Sequence, residues 1–141
     1  MFNLIYRDGA PEAAGHYEGI ETDNTSLKVG QAVHIASGKA VLATGDAPIY
    51  GIVSEPTKDG VVTVLKVAHD MIFKVPTTVA PADKGAKVTL NATADKVTAT
   101  APASGKYGAT VVETLDAVAG GYIEVRFENV ADGYIEANPE N

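Results

Sequence analysis

At 141 residues the chain has the size of one compact domain. Eighteen acidic against eleven basic residues give a net charge of −7 and a pI near 4.8, which argues against a nucleic-acid surface, since phosphates need a basic stripe. The absence of cysteine excludes disulfide staples and thiolate metal sites and fits maturation in a reducing compartment.

Hydrophobic residues make up 45 % of the chain, but Trp is absent, and Val, Ala and Thr recur. Val and Thr suit a pleated, half-buried surface, and fourteen Gly and seven Pro punctuate the chain as turns between strands require. The composition predicts an all-β fold. Arg7 and Asp8 interrupt the start before an apolar stretch of signal-peptide length is reached, and no apolar run approaches the roughly 18 residues of a membrane span.

Residues 1–28 spread Phe2, Leu4, Ile5, Tyr6, Tyr17 and Ile20 among glycines, Pro11 and polar residues. Two readings fit: a first strand and loop packed on their own domain, or an extended N-terminal arm lying on a neighbouring subunit. The domain proper is expected over residues 29–128. Residues 32–36 and 39–43 flank Ser37-Gly38, a pair suited to a tight hairpin. A strand over 49–54 should lead to a turn at 55–60, followed by the apolar run 61–67 and by an extended segment, MIFKVP, ending at Pro76. Residues 77–84 read as a connector with at most one helical turn.

From Gly85 the pattern begins again. Gly30, Val33, Ile35, Val41, Gly51, Gly60, Val62 and Val64 find counterparts in Gly85, Val88, Leu90, Val97, Gly108, Gly121, Ile123 and Val125. Two related hairpin-plus-strands halves completing one small β-barrel or sandwich would explain this, because neither half alone has enough strands to bury an apolar face. Shared Val-rich composition is the alternative. The last strand alternates Ile123, Val125 and Phe127 with Tyr122, Glu124, Arg126 and Glu128, and residues 129–141 form a short acidic C-terminal tail.

Catalytic signatures are missing. Gly38-Lys39 and Gly105-Lys106 lack both the upstream glycine and the following Ser or Thr of a phosphate loop. His16, His34 and His69 have no metal-ligand spacing, and no GxSxG elbow occurs. His69 beside Asp70 is the best acid–base candidate, yet it reads better as a polar turn. Glu113, Asp116, Glu124 and Glu128 could gather at one end, but the aromatic walls of a glycosidase cleft are scarce. The sequons at Asn24 and Asn91 carry no weight without a secretion signal. No catalytic residue, metal or cofactor is expected, and the chain is not read as an enzyme.

The hairpin AVHIASGKAVLA, the strand IYGIVSE, the MIFKVP segment, the hairpin GAKVTLNATADKVTAT, and YGATVVE followed by GGYIEVRF come in an order that resembles small bacteriophage head proteins. These act as capsid decoration, or cement, proteins. The resemblance implies a virion structural protein, made in the host cytoplasm, that binds the outer capsid surface and bridges major capsid proteins. It also implies a homo-oligomer, with a trimer favoured, and no nucleic-acid or membrane partner. It transfers no functional residue. The residues themselves nominate Phe2, Leu4, Ile5, Tyr6, Tyr17 and Ile20 as capsid-binding anchors, since apolar side chains on an arm seek a partner surface. The rival expectation is a carbohydrate- or surface-binding β module of a phage fibre or adhesin, which would use clustered exposed tyrosines among Tyr50, Tyr107, Tyr122 and Tyr134.

Overall fold

The structure, a computed structural model, describes residues 1–7, 16–104, 106, 108–128 and 130, without the side chains of Tyr6 and Arg7. Among these residues ten strands run in order: β1 (Asn3–Arg7), β2 (Tyr17–Glu21), β3 (Ala32–Ala36), β4 (Lys39–Leu42), β5 (Gly51–Lys58), β6 (Val61–Lys66), β7 (Met71–Pro76), β8 (Lys87–Val88), β9 (Ala109–Thr114) and β10 (Tyr122–Phe127). They form two antiparallel five-stranded sheets, ordered β2-β6-β5-β3-β4 and β1-β7-β10-β9-β8, packed against each other as a sandwich. The all-β expectation holds, and of its two architectures the sandwich is found; there is no closed barrel.

Each sheet is one copy of the repeat. Five backbone hydrogen bonds recur at matching places. Thr22 N–H donates to Gly60 C=O (2.9 Å) as Thr77 does to Gly121 (3.0 Å), and Gly30 donates to Val53 (2.9 Å) as Gly85 does to Val111 (2.7 Å). Val53 donates to Gln31 (2.9 Å) as Val111 does to Ala86 (2.9 Å), Gln31 to Lys28 (3.2 Å) as Ala86 to Asp83 (3.0 Å), and Val67 to Tyr50 (3.0 Å) as Glu128 to Gly108 (3.0 Å). Gly30 and Gly85 share a positive φ, 90° and 89°, which only glycine adopts without strain. By this register β2 corresponds to β7, β3 to β8, β5 to β9 and β6 to β10. The register also moves two of the sequence pairings by one residue: Val97 matches Ala40, since both bridge back to Leu90 and Ile35, and Gly108 matches Tyr50.

Seven corresponding positions line the inside of each curled sheet. Ile20, Leu27, Val33, Ala40, Val53, Val62 and Val64 form a cluster in the first. Val75, Ala82, Val88, Val97, Val111, Ile123 and Val125 take those places in the second, where they merge with Phe2, Met71, Phe73, Phe127 and, from the first sheet, Ala32, Ile52, Leu65 and Val67. Burying a Val, Leu or Ile side chain contributes about 1.5–3 kcal/mol, so these clusters carry the fold.

Three expectations are corrected. Residues 1–28 do not stand apart as an arm. β1 pairs with β7 and β2 with β6, so both are edge strands of the body, while residues 8–15 lie outside the described residues. Second, β5 continues through residues 55–58 of the turn expected at 55–60. Its ladder shifts register between Glu55 and Lys58, and that irregularity accommodates Pro56, which has no N–H to donate. The reversal falls on Asp59-Gly60, both at positive φ (54° and 79°). Third, the second hairpin is mostly irregular: after the two residues of β8, only the Leu90–Val97 bridge continues it. The tail over 129–141 lies outside the described residues apart from Val130, which is buried and bridges Ile49.

Candidate functional site

Phe2 enters the core. Its N–H donates to Gly30 C=O (2.9 Å), and its ring meets Phe73 edge-on at 6.3 Å and Phe127 at 5.1 Å. β1 follows on the edge of β7, with Asn3 opposite Lys74 and Leu4 opposite Phe73. A shift in register after Leu4 leaves Ile5 without a cross-strand partner. β2 brings Tyr17 opposite Leu65 on the other sheet.

Between them lies a groove of about 300 Å3. Phe2, Ile52, Leu65 and Phe73 floor it, all buried; Met1, Leu4, Tyr17 and Val29 line it from more open positions. Met1, Ile5, Tyr17 and Val29 are each more than 40 % exposed, with Tyr17 highest at 58 %. The six nominated anchors therefore divide. Phe2 and Ile20 belong to the two cores and cannot be surface contacts. Tyr17 and Ile5 are exposed and Leu4 is half-buried; the side chain of Tyr6 lies outside the described part. Met1 and Val29 were missed by the sequence reading. Val29 sits in the turn before β3 and gives no periodic signal there.

The polar residues pair locally. Lys87 Nζ donates to Glu128 Oε1 (2.6 Å) and Thr110 Oγ1 (2.8 Å), and Thr110 Oγ1 donates to Glu128 Oε2 (2.6 Å). The bond from Lys87, then that from Thr110, hold the Glu128 carboxyl below its ordinary range. Glu113 lies 3.8 Å from Lys84 and opposite Glu124 across the β9–β10 ladder, and Asp116 accepts from Tyr122 N–H at 3.4 Å. Glu113, Asp116 and Glu128 thus have different partners, and of the four only Glu113 and Glu124 stand opposite each other. His69 and Asp70 occupy the turn between β6 and β7. Among the described residues no group of three or more His, Asp or Glu is arranged to hold a metal ion.

A second polar knot joins the two halves. Asn91 Oδ1 accepts from the N–H groups of Asp95 and Lys96 (3.0 Å each), and Asp95 Oδ1 accepts from Asn91 Nδ2 (3.1 Å) and Thr93 Oγ1 (2.7 Å). Burial would raise the Asp95 carboxyl, but the bonds from Thr93 and Asn91, together with the charges of the N-terminal ammonium and Lys96, hold the group low. The knot presents Ala94, fully buried, whose C=O accepts from Ala32 N–H at 2.7 Å in β3 of the other sheet.

Compared with known proteins, the chain matches no family model and no curated protein.

Proposed function

We propose that the protein is a structural decoration protein: it binds the outer surface of a phage head and stabilises the shell by bridging major capsid proteins. The observation that carries this reading is the apolar rim of Met1, Tyr17 and Val29 around the groove, with exposed Ile5 farther along β1. An exposed aromatic with aliphatic neighbours is the usual make-up of an interface anchor. The double sheet supplies a stiff body that holds the rim in place. The resemblance in motif order points the same way. On this reading the partner is the major capsid protein, the place of action is the virion surface, the protein works as an oligomer with a trimer favoured, and no catalysis is involved.

The carbohydrate-binding reading asks for a platform of exposed tyrosines. Tyr17 faces the intersheet side, opposite Leu65, whereas Tyr50 packs on the first cluster and bonds Glu18 on the other face. Tyr122 lies on the second sheet with Lys74 over its ring at 4.9 Å.

Deleting residues 1–28 would remove two strands and Phe2 and so unfold the body. A surface variant is the cleaner test. Ile5→Asp combined with Tyr17→Ala should leave the melting temperature within a few degrees and weaken co-sedimentation with expanded capsids at least tenfold. Undiminished co-sedimentation of that variant, or none of the wild type, rejects the proposal.

A further inference from the structure

Among the described residues the repeat leaves open one edge that its twin covers. Lys66 N–H donates to His16 C=O (2.8 Å) and Thr22 N–H to Gly60 C=O (2.9 Å), so alternation along β2 turns the N–H and C=O groups of Tyr17 and Gly19 away from β6. Among the described residues no strand pairs with that outer side. The counterparts of Tyr17 and Gly19 in the second sheet are Ile72 and Lys74, and there β1 covers the same groups, Tyr6 opposite Ile72 and Asn3 opposite Lys74. One architecture, used twice, has an added strand in one copy only.

The uncovered edge also has a seat beside it. A groove of about 350 Å3 lies between Gly19 and Glu21 on β2 and Ile35 and Gly38 on the β3–β4 hairpin, with Glu18 and Tyr50 along it. The two glycines let another backbone approach closely, and half-buried Ile35 offers apolar surface. Acidic groups outnumber basic ones here. Glu21 is exposed and lies near enough to Lys39 to favour its charged form, but Lys39 is bonded first to Asp23 at 3.0 Å, and Lys66 sits over the Tyr50 ring at 5.5 Å.

We propose that the outer edge of β2 accepts an extended, lysine- or arginine-bearing segment of a partner protein as an added antiparallel strand, bonded to the main chain of Tyr17 and Gly19 and seated in this groove. Main-chain bonds to an exposed edge supply the attachment in such strand addition, and side-chain pockets and charge supply the selection. Here the selecting groups are Glu21 for a cation and Ile35 for an apolar neighbour. The inference stands whether or not the partner is a capsid protein, and its test uses no capsid.

The probe is a synthetic hexapeptide of alternating valine and lysine, titrated into the 15N-labelled full chain. The amide signals of Tyr17 and Gly19 should shift, and their hydrogen exchange should slow. A hexapeptide of alternating valine and glutamate should leave them unmoved. Gly19→Pro removes an outward N–H at an edge position, its Cβ standing 3.1 Å from Cγ1 of exposed Val61, which has room to yield, and should weaken binding at least tenfold. Glu21→Lys, an exposed change that keeps the strand, should weaken it several-fold at an unchanged melting temperature. Signals of Tyr17 and Gly19 that stay fixed at saturating peptide, equal binding of the acidic peptide, or full affinity in Glu21→Lys overturn the proposal. Self-association of the free chain abolished by Gly19→Pro overturns it in favour of a second copy.

Discussion

The first sheet and the second are built on the same plan, yet the first closes its curl with a side chain and the second with backbone. In the second, Val97 N–H donates to Pro76 C=O (3.1 Å) and Thr78 N–H to Val97 C=O (2.9 Å), while β1 extends the sheet and Phe2 fills it. In the first, the matching approach of β2 to β4 is held by Thr22 Oγ1, which donates to Ala40 C=O at 2.7 Å. The difference teaches that a repeat fixes the frame and that the unpaired additions, here β1 and the Asn91 knot, decide which copy is closed and which stays accessible.

Paired substitutions at corresponding positions can break that comparison. The largest contrast is expected at Phe127, fully buried, and its counterpart Lys66, half-exposed. Phe127→Ala should cost about 3–5 kcal/mol in urea unfolding. Lys66→Ala should stay within about 1 kcal/mol, the worth of its contact with Tyr50. Similar costs at the two sites would mean that the phenylalanine cluster is not what sets the second half apart.

Gly30 and Gly85 come next, because their φ angles agree and their surroundings do not. A Cβ on Gly30 would lie 2.2 Å from Met1 Cβ, whereas one on Gly85 meets nothing within 4 Å. Gly85→Ala should cost about 1–2 kcal/mol from the left-handed backbone alone. Gly30→Ala should cost more and displace Phe2, visible as a change in the near-ultraviolet signal of the phenylalanines. Equal costs would sink the claim that Met1 and Phe2 are locked down at this point.

Thr22→Val and Thr77→Val test the two closures directly. Thr22 is buried, and its hydroxyl links two strands, so its loss should cost about 1–2 kcal/mol by leaving Ala40 C=O unpaired. Thr77→Val should cost less, since the backbone bonds to Val97 remain and its hydroxyl serves only nearby carbonyls of Val79 and Gly121. Amide exchange at Ala40 and Val97 would report each opening.

The smallest effect is electrostatic and belongs to the second half alone. Glu128 corresponds to Val67, so the first half has no equivalent of its bonds to Lys87 and Thr110. Because its carboxyl is held below the ordinary value of 4.5, the stabilisation is complete above that pH and is lost as the pH falls through the folded value. Wild type should therefore lose more stability than Glu128→Gln between pH 5 and pH 3, by a margin reduced by solvent screening at this surface site. Identical pH profiles would remove Glu128 from the account.

Much of the frame is legible in the residues. The alternation of Ile123, Val125 and Phe127 predicts β10, with all three buried, and the spacing of glycines predicts the repeat. The repeat begins earlier than its glycines reveal, because Tyr17–Glu21 shares no conspicuous residue type with Met71–Pro76; only the matching bonds of Thr22 and Thr77 expose the kinship. The candidate site was less legible. Phe2, Leu4, Ile5, Tyr17 and Ile20 look alike as apolar residues near the chain start, but a sequence pattern does not say which of them faces a core. Pro56 misled for a related reason: a proline signals a turn unless a neighbouring strand provides a bulge to hold it.

By itself the sequence determined the all-β class and the turns at glycines such as Gly38 and Gly60, and it raised the doubling without deciding it against shared composition, because local backbone preferences and period-two alternation act over a few residues. Tertiary structure decided which strands share a sheet, that residues 3–7 cover one edge while no described strand covers the matching edge at Tyr17 and Gly19, and that Phe2 is core rather than anchor. Those outcomes depend on pairings between segments distant along the chain, whose energy lies in shared hydrogen bonds and buried area that no single segment encodes.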